Sequence, residues 1–274
     1  MVNIVRRRNR RPRLRKGKAV PKVLAWGVHL YTALGLVAAA GIGVLAVKGG
    51  PEAFRGAFVL MMIATFIDAT DGTLARRVRV KEVLPGFDGR RLDDLVDFLT
   101  YTCLPLFLIW RAELLPGGLA WWLLVPLLAS AYGFCQVAAK TEDGYFLGFP
   151  SYWNLVAFYL YALQPPEWLT IALLLGLALL TFVPARYLYP TQRGRLNAWT
   201  NVLGAAWGCL LVWILLDPSP TPLHNERTRW AVGASLFFPL YYMVASWAVT
   251  FKLRRGRSAT SAPAGWKLGD SAAH

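Results

Sequence analysis

Four aspartates stand at the ends of two long apolar segments. The first segment closes with Asp68 and Asp71, and the second begins with Asp93 and Asp97. Charged side chains are costly inside a lipid bilayer unless a partner or a polar cavity compensates them. The chain must therefore fold so that these carboxylates face one another or a polar interior, and this requirement limits the arrangements open to it.

Helical spacing puts small residues on the same faces as the carboxylates. Residues at offsets 0, 3, 4 and 7 share one face of an α-helix. The first segment fills those offsets with Asp68, Asp71, Gly72 and Ala75. The second segment fills offsets 0, 4 and 8 of its own face with Gly89, Asp93 and Asp97. Four like charges brought together repel, and hard divalent cations suit such a cluster, so the pattern predicts a divalent metal site.

The apolar residues form long runs, which indicates an integral membrane protein. The 274 residues are 56% hydrophobic and 16% charged, a balance too apolar for an ordinary soluble domain. A net charge of +15 could suggest a nucleic-acid binder. The basic residues cluster between the apolar runs, however, which favours membrane topology and anionic lipid over a nucleic-acid partner. We interpret Cys103, Cys135 and Cys209 as core residues without disulfides.

The apolar runs predict an all-α membrane protein with about eight transmembrane helices. We expect one catalytic domain, residues 23–252, between basic tails at 1–22 and 253–274 that are disordered in solution. The first tail leads into a full-length span, which favours a transmembrane helix over a cleavable signal peptide. The predicted spans are residues 23–47, 52–76, 89–110 and 119–140, a short helix ending near 164, and residues 168–184, 196–216 and 229–251.

The distribution of basic residues predicts the orientation of these spans. An even number of spans puts both termini on one side of the membrane. That side, which also carries the aspartate motif, holds 25 of the 30 Lys and Arg residues. By the positive-inside rule, both termini and the motif face the cytoplasm. The basic tail at 1–22 either binds anionic lipid or only sets this orientation.

The motif resembles the signature of the CDP-alcohol phosphotransferases. D-x-x-D-G-x-x-A-R occupies residues 68–76, G-x-x-x-D-x-x-x-D occupies residues 89–97, and all eight signature residues are present. The twelve-residue insert between them, Arg77–Asp88, is longer than in most members of the family. It resembles the bacterial phosphatidylcholine synthase branch, as do three further stretches: Ala25–Thr32, Gly148–Asn154 and Phe182–Pro184, the start of the segment 182–190.

The resemblance implies a reaction. A homodimeric enzyme in the inner membrane of a bacterium would transfer phosphatidyl from CDP-diacylglycerol to choline and release CMP. Two Mg²⁺ or Mn²⁺ ions would be bound by the four motif aspartates, and Asp97 would also serve as the base for the alcohol. Gly72, Ala75 and Gly89 would allow the cytidine to approach closely, and Arg76 would contact the diphosphate or the ribose.

Several polar residues near the motif admit two interpretations. His29 and Thr32 share a face of the first helix and are either satisfied within the bundle or donors to the CDP phosphates. Asp94 lies off the Asp93 face and close to Arg90 and Arg91, so we expect a local ion pair there. Asp88 precedes the helix that begins at Gly89, and we expect it to cap that helix.

An aromatic and acidic stretch before the fifth helix is the candidate choline site. A quaternary ammonium cannot donate strong hydrogen bonds, so proteins hold it with aromatic faces and a carboxylate. The alternative is an aromatic belt at the membrane interface. The arginines at 186, 193 and 195 either bind lipid phosphate or only set topology. The candidate choline residues are Glu142, Asp143, Tyr145, Tyr152 and Trp153.

Two other functions stay open on the sequence. The same chemistry could use serine, inositol or glycerol phosphate as the acceptor. In a different class, a cation transporter could use the carboxylates as an ion pathway. Such a pathway should place ionisable groups deeper in the membrane, often on interrupted helices, whereas here the carboxylates cluster at one membrane face.

Overall fold

The first two predicted spans form long helices joined by a tight turn. The computed structural model describes residues 21–136, 145–188, 195–217 and 225–260. Helix α1 runs over Lys22–Lys48 and α2 over Pro51–Val78. The insert that follows contains one helical turn, α3, at Val80–Val83. Its residue Val80 is buried against α1, so this part of the insert is packed on the bundle.

The third predicted span is one continuous rod made of three parts. Helix α4 covers Gly89–Asp97, a π-helical segment covers Phe98–Cys103, and α5 covers Leu104–Arg111. π-helical insertions are rare and occur frequently at functional sites. This one follows directly on the last motif aspartate, so it sets the direction of the side chains just beyond the motif.

The remaining spans are helical at the predicted places. A 3₁₀ segment at Gly117–Leu123 leads into α6, and the chain past 136 in this span lies outside the described residues. The last helix continues to Thr260, past the predicted end at 251. Most of the two predicted tails lies outside the described ranges. The further helices are α6 at Leu124–Cys135, α7 at Trp153–Leu163, α8 at Glu167–Leu180, α9 at Arg195–Leu216, α10 at Glu226–Ser235 and α11 at Phe237–Thr260.

Within the described ranges, five helical stretches are long and apolar enough to cross a membrane. Helices α7 and α8 are apolar but shorter. The long stretches are Lys22–Lys48, Pro51–Val78, Gly117–Cys135, Asn197–Leu216 and Glu226–Leu253. The fold is therefore a bundle of membrane helices, as the length and composition of the apolar runs predict.

A short β-ribbon is an exception to the all-α prediction. Strand β1, Phe146–Leu147, pairs antiparallel with β2, Arg186–Tyr187. Gly148 follows β1 with a φ of +83°, and its N–H donates to the carbonyl of Ala185 at 3.0 Å. A side chain at Gly148 would collide with the carbonyl of Thr181, so only glycine fits there. The ribbon ties the candidate choline stretch to the loop after α8.

Helix α1 lies against both motif helices. Gly35 of α1 packs directly on Val96 of α4 and leaves no room for a β-carbon. A close approach of this kind brings the polar face of α1 towards the motif aspartates. The main apolar core lies further along the bundle, where α2, α5, α7, α8 and α9 meet around residues such as Phe58, Ile109 and Phe158.

The cysteines are free thiols, as predicted, but two of them are not in the core. Cys103 is half-buried, whereas Cys135 and Cys209 are exposed on the surface of the bundle. The interpretation of all three as core residues is therefore wrong for these two. In a bundle surrounded by lipid, an apolar thiol is as compatible with the lipid-facing surface as with the interior.

Candidate active site

Three of the four motif carboxylates converge between α2 and α4. One oxygen from each of Asp68, Asp71 and Asp93 lies within 4.8 Å of the others. Asp71 is buried, and the other two are half-buried. Mg²⁺ and Mn²⁺ prefer oxygen ligands of this kind. The residues present therefore fit a divalent cation, and the helical spacing predicted which faces meet.

The start of α4 is fixed by a side-chain cap. The Asp88 carboxylate accepts hydrogen bonds from the backbone N–H groups of Arg90, at 3.1 Å, and Arg91, at 3.3 Å. This confirms the cap predicted for Asp88. Because a cap determines where the helical phase begins, it also helps to determine which face of α4 carries Asp93.

The remaining acidic residues of α4 behave differently from one another. Asp97 lies one helical turn beyond Asp93 on the same face and is half-buried, outside the three-oxygen cluster. The ion pair predicted for Asp94 is not formed among the described residues. Arg91 turns back instead to the cap residue Asp88, at 3.5 Å, because that carboxylate already lies at the exposed end of the helix.

Two buried hydroxyls donate to the carboxylates of α2. The Thr32 hydroxyl donates to Asp71 Oδ2 at 2.7 Å, and the Tyr101 hydroxyl donates to Asp68 Oδ2 at 2.7 Å. Each donor side chain is 7% exposed. Of the two interpretations of Thr32, this contact fits the one in which its hydroxyl is satisfied within the bundle, and a contact with CDP stays a prediction. The sequence reasoning missed Tyr101, although its position four residues after Asp97 is a signal that could have found it.

His29 fills the space beside Gly89. Its ring packs on Phe87 of the insert at a centroid distance of 4.4 Å and on Trp26 at 5.8 Å. A β-carbon at Gly89 would lie 2.5 Å from His29 Cε1 and 2.8 Å from Nδ1. His29 is 7% exposed, and its Nε2 has no hydrogen-bond partner within the described ranges. The room that Gly89 provides is therefore occupied by an imidazole.

The other small motif residues lie beside the arginine of the motif. A β-carbon at Gly72 would be 3.3 Å from Nη1 of Arg76. The exposed Arg76 side chain also donates from Nη2 to the Thr73 hydroxyl at 3.0 Å. Ala75 is half-buried and packs against the contact between α1 and the insert. A guanidinium thus lies on the face that Gly72 leaves open.

The candidate choline residues do not form one aromatic cage. The ring of Tyr152 lies 6.2 Å from that of Tyr101, which contacts Asp68, and 6.1 Å from that of Tyr242. The face of Tyr145 is covered by the guanidinium of Arg186 at 5.7 Å. Among these candidates, Tyr152 is the one whose ring neighbours the carboxylate cluster through Tyr101.

The expectation that Trp153 lines the choline site is wrong, and the acidic candidates Glu142 and Asp143 are not among the described residues. The Trp153 side chain is fully buried, packs on Phe149 and donates from Nε1 to the Ser130 hydroxyl at 2.6 Å. It is therefore a core residue and offers no face to a soluble ligand, because its position at the start of α7 turns it into the bundle. Glu142 and Asp143 lie outside the described residues.

Comparison with known proteins finds similarity over most of the chain. A family model described as CDP-alcohol phosphatidyltransferase matches residues 29–251. A phosphatidylcholine synthase of Legionella pneumophila subsp. pneumophila is 43% identical over 231 residues, covering 79% of this chain and 88% of the relative. Those of Rhizobium meliloti and Borreliella burgdorferi are each 32% identical over 241 residues, covering 86% of this chain and 95% and 99% of the relatives.

Proposed function

The chain belongs to the CDP-alcohol phosphatidyltransferase family, and we propose that it is the enzyme that transfers phosphatidyl from CDP-diacylglycerol to choline. One observation carries the proposal: Asp68, Asp71 and Asp93 converge within the family motif of a chain whose similar relatives are bacterial phosphatidylcholine synthases. The products are phosphatidylcholine and CMP. The site lies in a multi-pass membrane protein, so a lipid donor can reach it from the same membrane.

The metal ligands in this proposal are Asp68, Asp71, Asp93 and Asp97. These carboxylates would hold two Mg²⁺ or Mn²⁺ ions, whose charge would neutralise and orient the diphosphate. Asp97 accepts the proton of the choline hydroxyl. The hydroxyl oxygen then bonds to the phosphorus of the phosphatidyl group, the phosphoanhydride bond breaks, and its electron pair leaves with CMP. The position of Asp97 one turn beyond the cluster suits a base that is distinct from the three clustered ligands.

The nucleotide in this proposal is bound where α1 meets the two motif helices. Gly72 and Ala75 give the cytidine room on α2, and the Arg76 guanidinium contacts the diphosphate or ribose. Close approach to Gly89 requires the His29 ring to turn away, since that ring now fills the gap. Once the ring is displaced, its Nε2, which has no hydrogen-bond partner among the described residues, is a donor for a phosphate. Thr32 then acts on the nucleotide site through Asp71.

The choline ammonium in this proposal binds between the tyrosine faces and nearby acid. Tyr152 is the principal face, because its ring neighbours Tyr101 beside the carboxylate cluster. Glu142 or Asp143 supplies charge from the segment before β1. Tyr145 contributes its ring only if Arg186 releases it. A cation bound to such faces is favoured electrostatically by the ring quadrupoles.

The membrane arrangement in this proposal has eight spans with both termini in the cytoplasm of a bacterial inner membrane. The five long apolar stretches supply five spans. The rod of α4, the π segment and α5 supplies a sixth, and α7 and α8 supply two short ones. The excess of Lys and Arg on the motif side sets the orientation. A homodimer stays a prediction that rests on the family resemblance.

Release of CMP tests the enzyme against the transporter alternative. Purified protein in detergent is supplied with CDP-diacylglycerol, choline and Mn²⁺, and CMP is measured with and without a chelator. The proposal predicts CMP release that stops when the metal is removed. A transporter would release no CMP under any of these conditions but would move cations across a proteoliposome membrane.

A further inference from the structure

We infer that Thr32 and Tyr101 are positioning residues of the metal site, each holding one carboxylate of α2 in the orientation that binds a divalent cation. The inference rests on the proposed function, since it concerns the same carboxylates. Neither residue belongs to the family motif. The two donors reach Asp71 and Asp68 from different elements, Thr32 from α1 and Tyr101 from the π-helical segment.

The two contacts share one geometry. Each hydroxyl donates at 2.7 Å to the Oδ2 atom of its aspartate. Both distances lie within the range of about 2.5–2.7 Å that is typical of hydroxyl donors to carboxylates, which are among the stronger hydrogen bonds in proteins. The Thr32 hydroxyl also lies 3.4 Å from the carbonyl of Val28. Since that second contact is much longer, the carboxylate is the partner that fixes the hydroxyl.

Fixing one oxygen of a carboxylate fixes the plane of the whole group. Asp68 and Asp71 are three residues apart on one helix face, so their like charges push the two side chains apart. A neutral hydroxyl donor offsets that repulsion and selects one rotamer without neutralising the negative charge that the metal needs. Outer-sphere hydrogen bonds of this kind typically change metal affinity by about 10- to 100-fold.

Tyr101 lies in the π-helical segment that follows Asp97. In a regular α-helix, Asp93, Asp97 and Tyr101 would follow one another at four-residue intervals on a single stripe. The hydrogen bonds of the π-helical segment from Phe98 to Cys103 join residues five apart, so each turn is wider than in an α-helix and that phase changes. Tyr101 then crosses to Asp68 on α2. The ring is buried, so the hydroxyl is held in place by packing as well as by its hydrogen bond.

A purely structural role is the alternative, and the chain contains a matched control. The Tyr31 hydroxyl also links α1 to α2, through a 2.8 Å hydrogen bond with the Thr70 hydroxyl. That link resembles the one made by Thr32 but touches no carboxylate. If hydroxyls between α1 and α2 serve only to hold the helices together, loss of the Tyr31 hydroxyl should matter as much as loss of the Thr32 hydroxyl.

Mn²⁺ affinity separates the two roles. The full-length protein in detergent is titrated with Mn²⁺, and free Mn²⁺ is followed by electron paramagnetic resonance. Tyr101→Phe and Thr32→Val should each raise the Kd for Mn²⁺ by about 10-fold or more. Thr32→Ser keeps a donor and should stay within about 3-fold of the unchanged protein. Tyr31→Phe should change the Kd by less than about 2-fold, because it removes no carboxylate contact.

The results that overturn the inference are specific. It is wrong if Tyr101→Phe and Thr32→Val both bind Mn²⁺ within 2-fold of the unchanged protein, or if Tyr31→Phe weakens binding as much as they do. The Thr32→Ser and Thr32→Val pair keeps the test informative even if Tyr101→Phe does not fold. If the unchanged protein releases CMP but loss of these hydroxyls leaves the Kd for Mn²⁺ unchanged, the positioning role fails and the proposed function stands. If the unchanged protein neither binds Mn²⁺ nor releases CMP, both fail.

Discussion

The imidazole of His29 on α1 lies directly against the backbone of Gly89, the first residue of α4. A β-carbon at Gly89 would come within 2.5 Å of the ring. Three residues further along α1, the Thr32 hydroxyl donates to the Asp71 carboxylate. In this chain, the first glycine of the second motif half therefore gives room to a histidine, one helical turn before Asp93.

The first prediction concerns this contact. Gly89→Ala forces the imidazole to move and crowds a packed site, a change that typically costs about 1–3 kcal/mol. If the donor-bound state bears this cost, kcat/KM for CDP-diacylglycerol should fall by roughly 5- to 140-fold, given about 1.4 kcal/mol per tenfold. Gly27→Ala is the matched control, since a β-carbon there meets nothing within 4 Å, and it should leave kcat/KM almost unchanged.

A double variant decides why Gly89 is needed. If the β-carbon is harmful only because it strikes His29, the change His29→Ala should restore part of the activity lost in Gly89→Ala, as a non-additive cycle. If the cytidine itself needs the space, His29→Ala will restore nothing. Activity of Gly89→Ala equal to that of Gly27→Ala would show that the ring shifts without consequence.

The second prediction concerns the carboxylates. Asp→Asn at 68, 71, 93 or 97 removes a charged ligand while nearly keeping the shape. Each change should lower kcat by at least about 10²-fold, the scale of lost acid–base or electrostatic groups. Asp94→Asn is the control on the same helix and should cost far less. Equal losses at Asp94 and Asp93 would show that the wrong face of α4 has been assigned to the metal.

The third prediction separates a substrate face from a core residue. Tyr152→Leu deletes a ring that neighbours Tyr101, the hydroxyl donor to Asp68. The change should raise the choline KM by roughly 2- to 30-fold, from about 0.5–2 kcal/mol per aromatic face. The KM of the Tyr152→Leu variant for CDP-diacylglycerol should stay the same. An unchanged choline KM would make Tyr152 part of an interfacial belt and place the alcohol pocket elsewhere.

Trp153→Leu should behave in the opposite way. The side chain is fully buried and its N–H is bonded to Ser130, so the change opens a cavity and leaves a buried hydroxyl without its donor. Losses of this kind are commonly about 2–5 kcal/mol of stability. We expect a lower unfolding temperature in detergent, with little change in choline KM for the folded protein. A raised choline KM with an unchanged unfolding temperature would instead show that Trp153 contributes to the choline site.

The fourth prediction concerns topology. Pro85 in the insert and Pro116 before α6 are both exposed and lie at opposite ends of the rod formed by α4, the π segment and α5. Single cysteines at these positions, in a variant without the native cysteines, should react with an impermeant maleimide from opposite sides of the membrane. Position 85 should be reached from the cytoplasm. Labelling of position 85 from outside would invert the assigned orientation of the active site.

The helical faces of the site could be read from the sequence, because a helix repeats every 3.6 residues. That period put Asp68, Asp71 and Asp93 on facing stripes, and the structure brings them together. The span positions followed from the length of apolar runs for the same kind of reason. Asp88 was recognisable as a cap because a carboxylate before a helix start satisfies free backbone N–H groups.

Contacts between helices could not be read in this way. A sequence period gives the face of a residue but not which residue stands opposite, since that depends on helix rotation and offset. The His29–Gly89 and Tyr101–Asp68 pairs depend on both, and the latter also on a π-helical segment that no sequence pattern announced. Trp153 was misplaced because an aromatic residue near a helix start fits an interface and a core equally well.

The acceptor alcohol tests the central claim most directly. Purified protein with CDP-diacylglycerol and Mn²⁺ is offered labelled choline, serine, inositol or glycerol phosphate in parallel, with Asp93→Asn protein as the background. We predict that choline alone supports CMP release above that background and that the label appears in phosphatidylcholine. CMP release with serine, inositol or glycerol phosphate, and none with choline, would contradict the account.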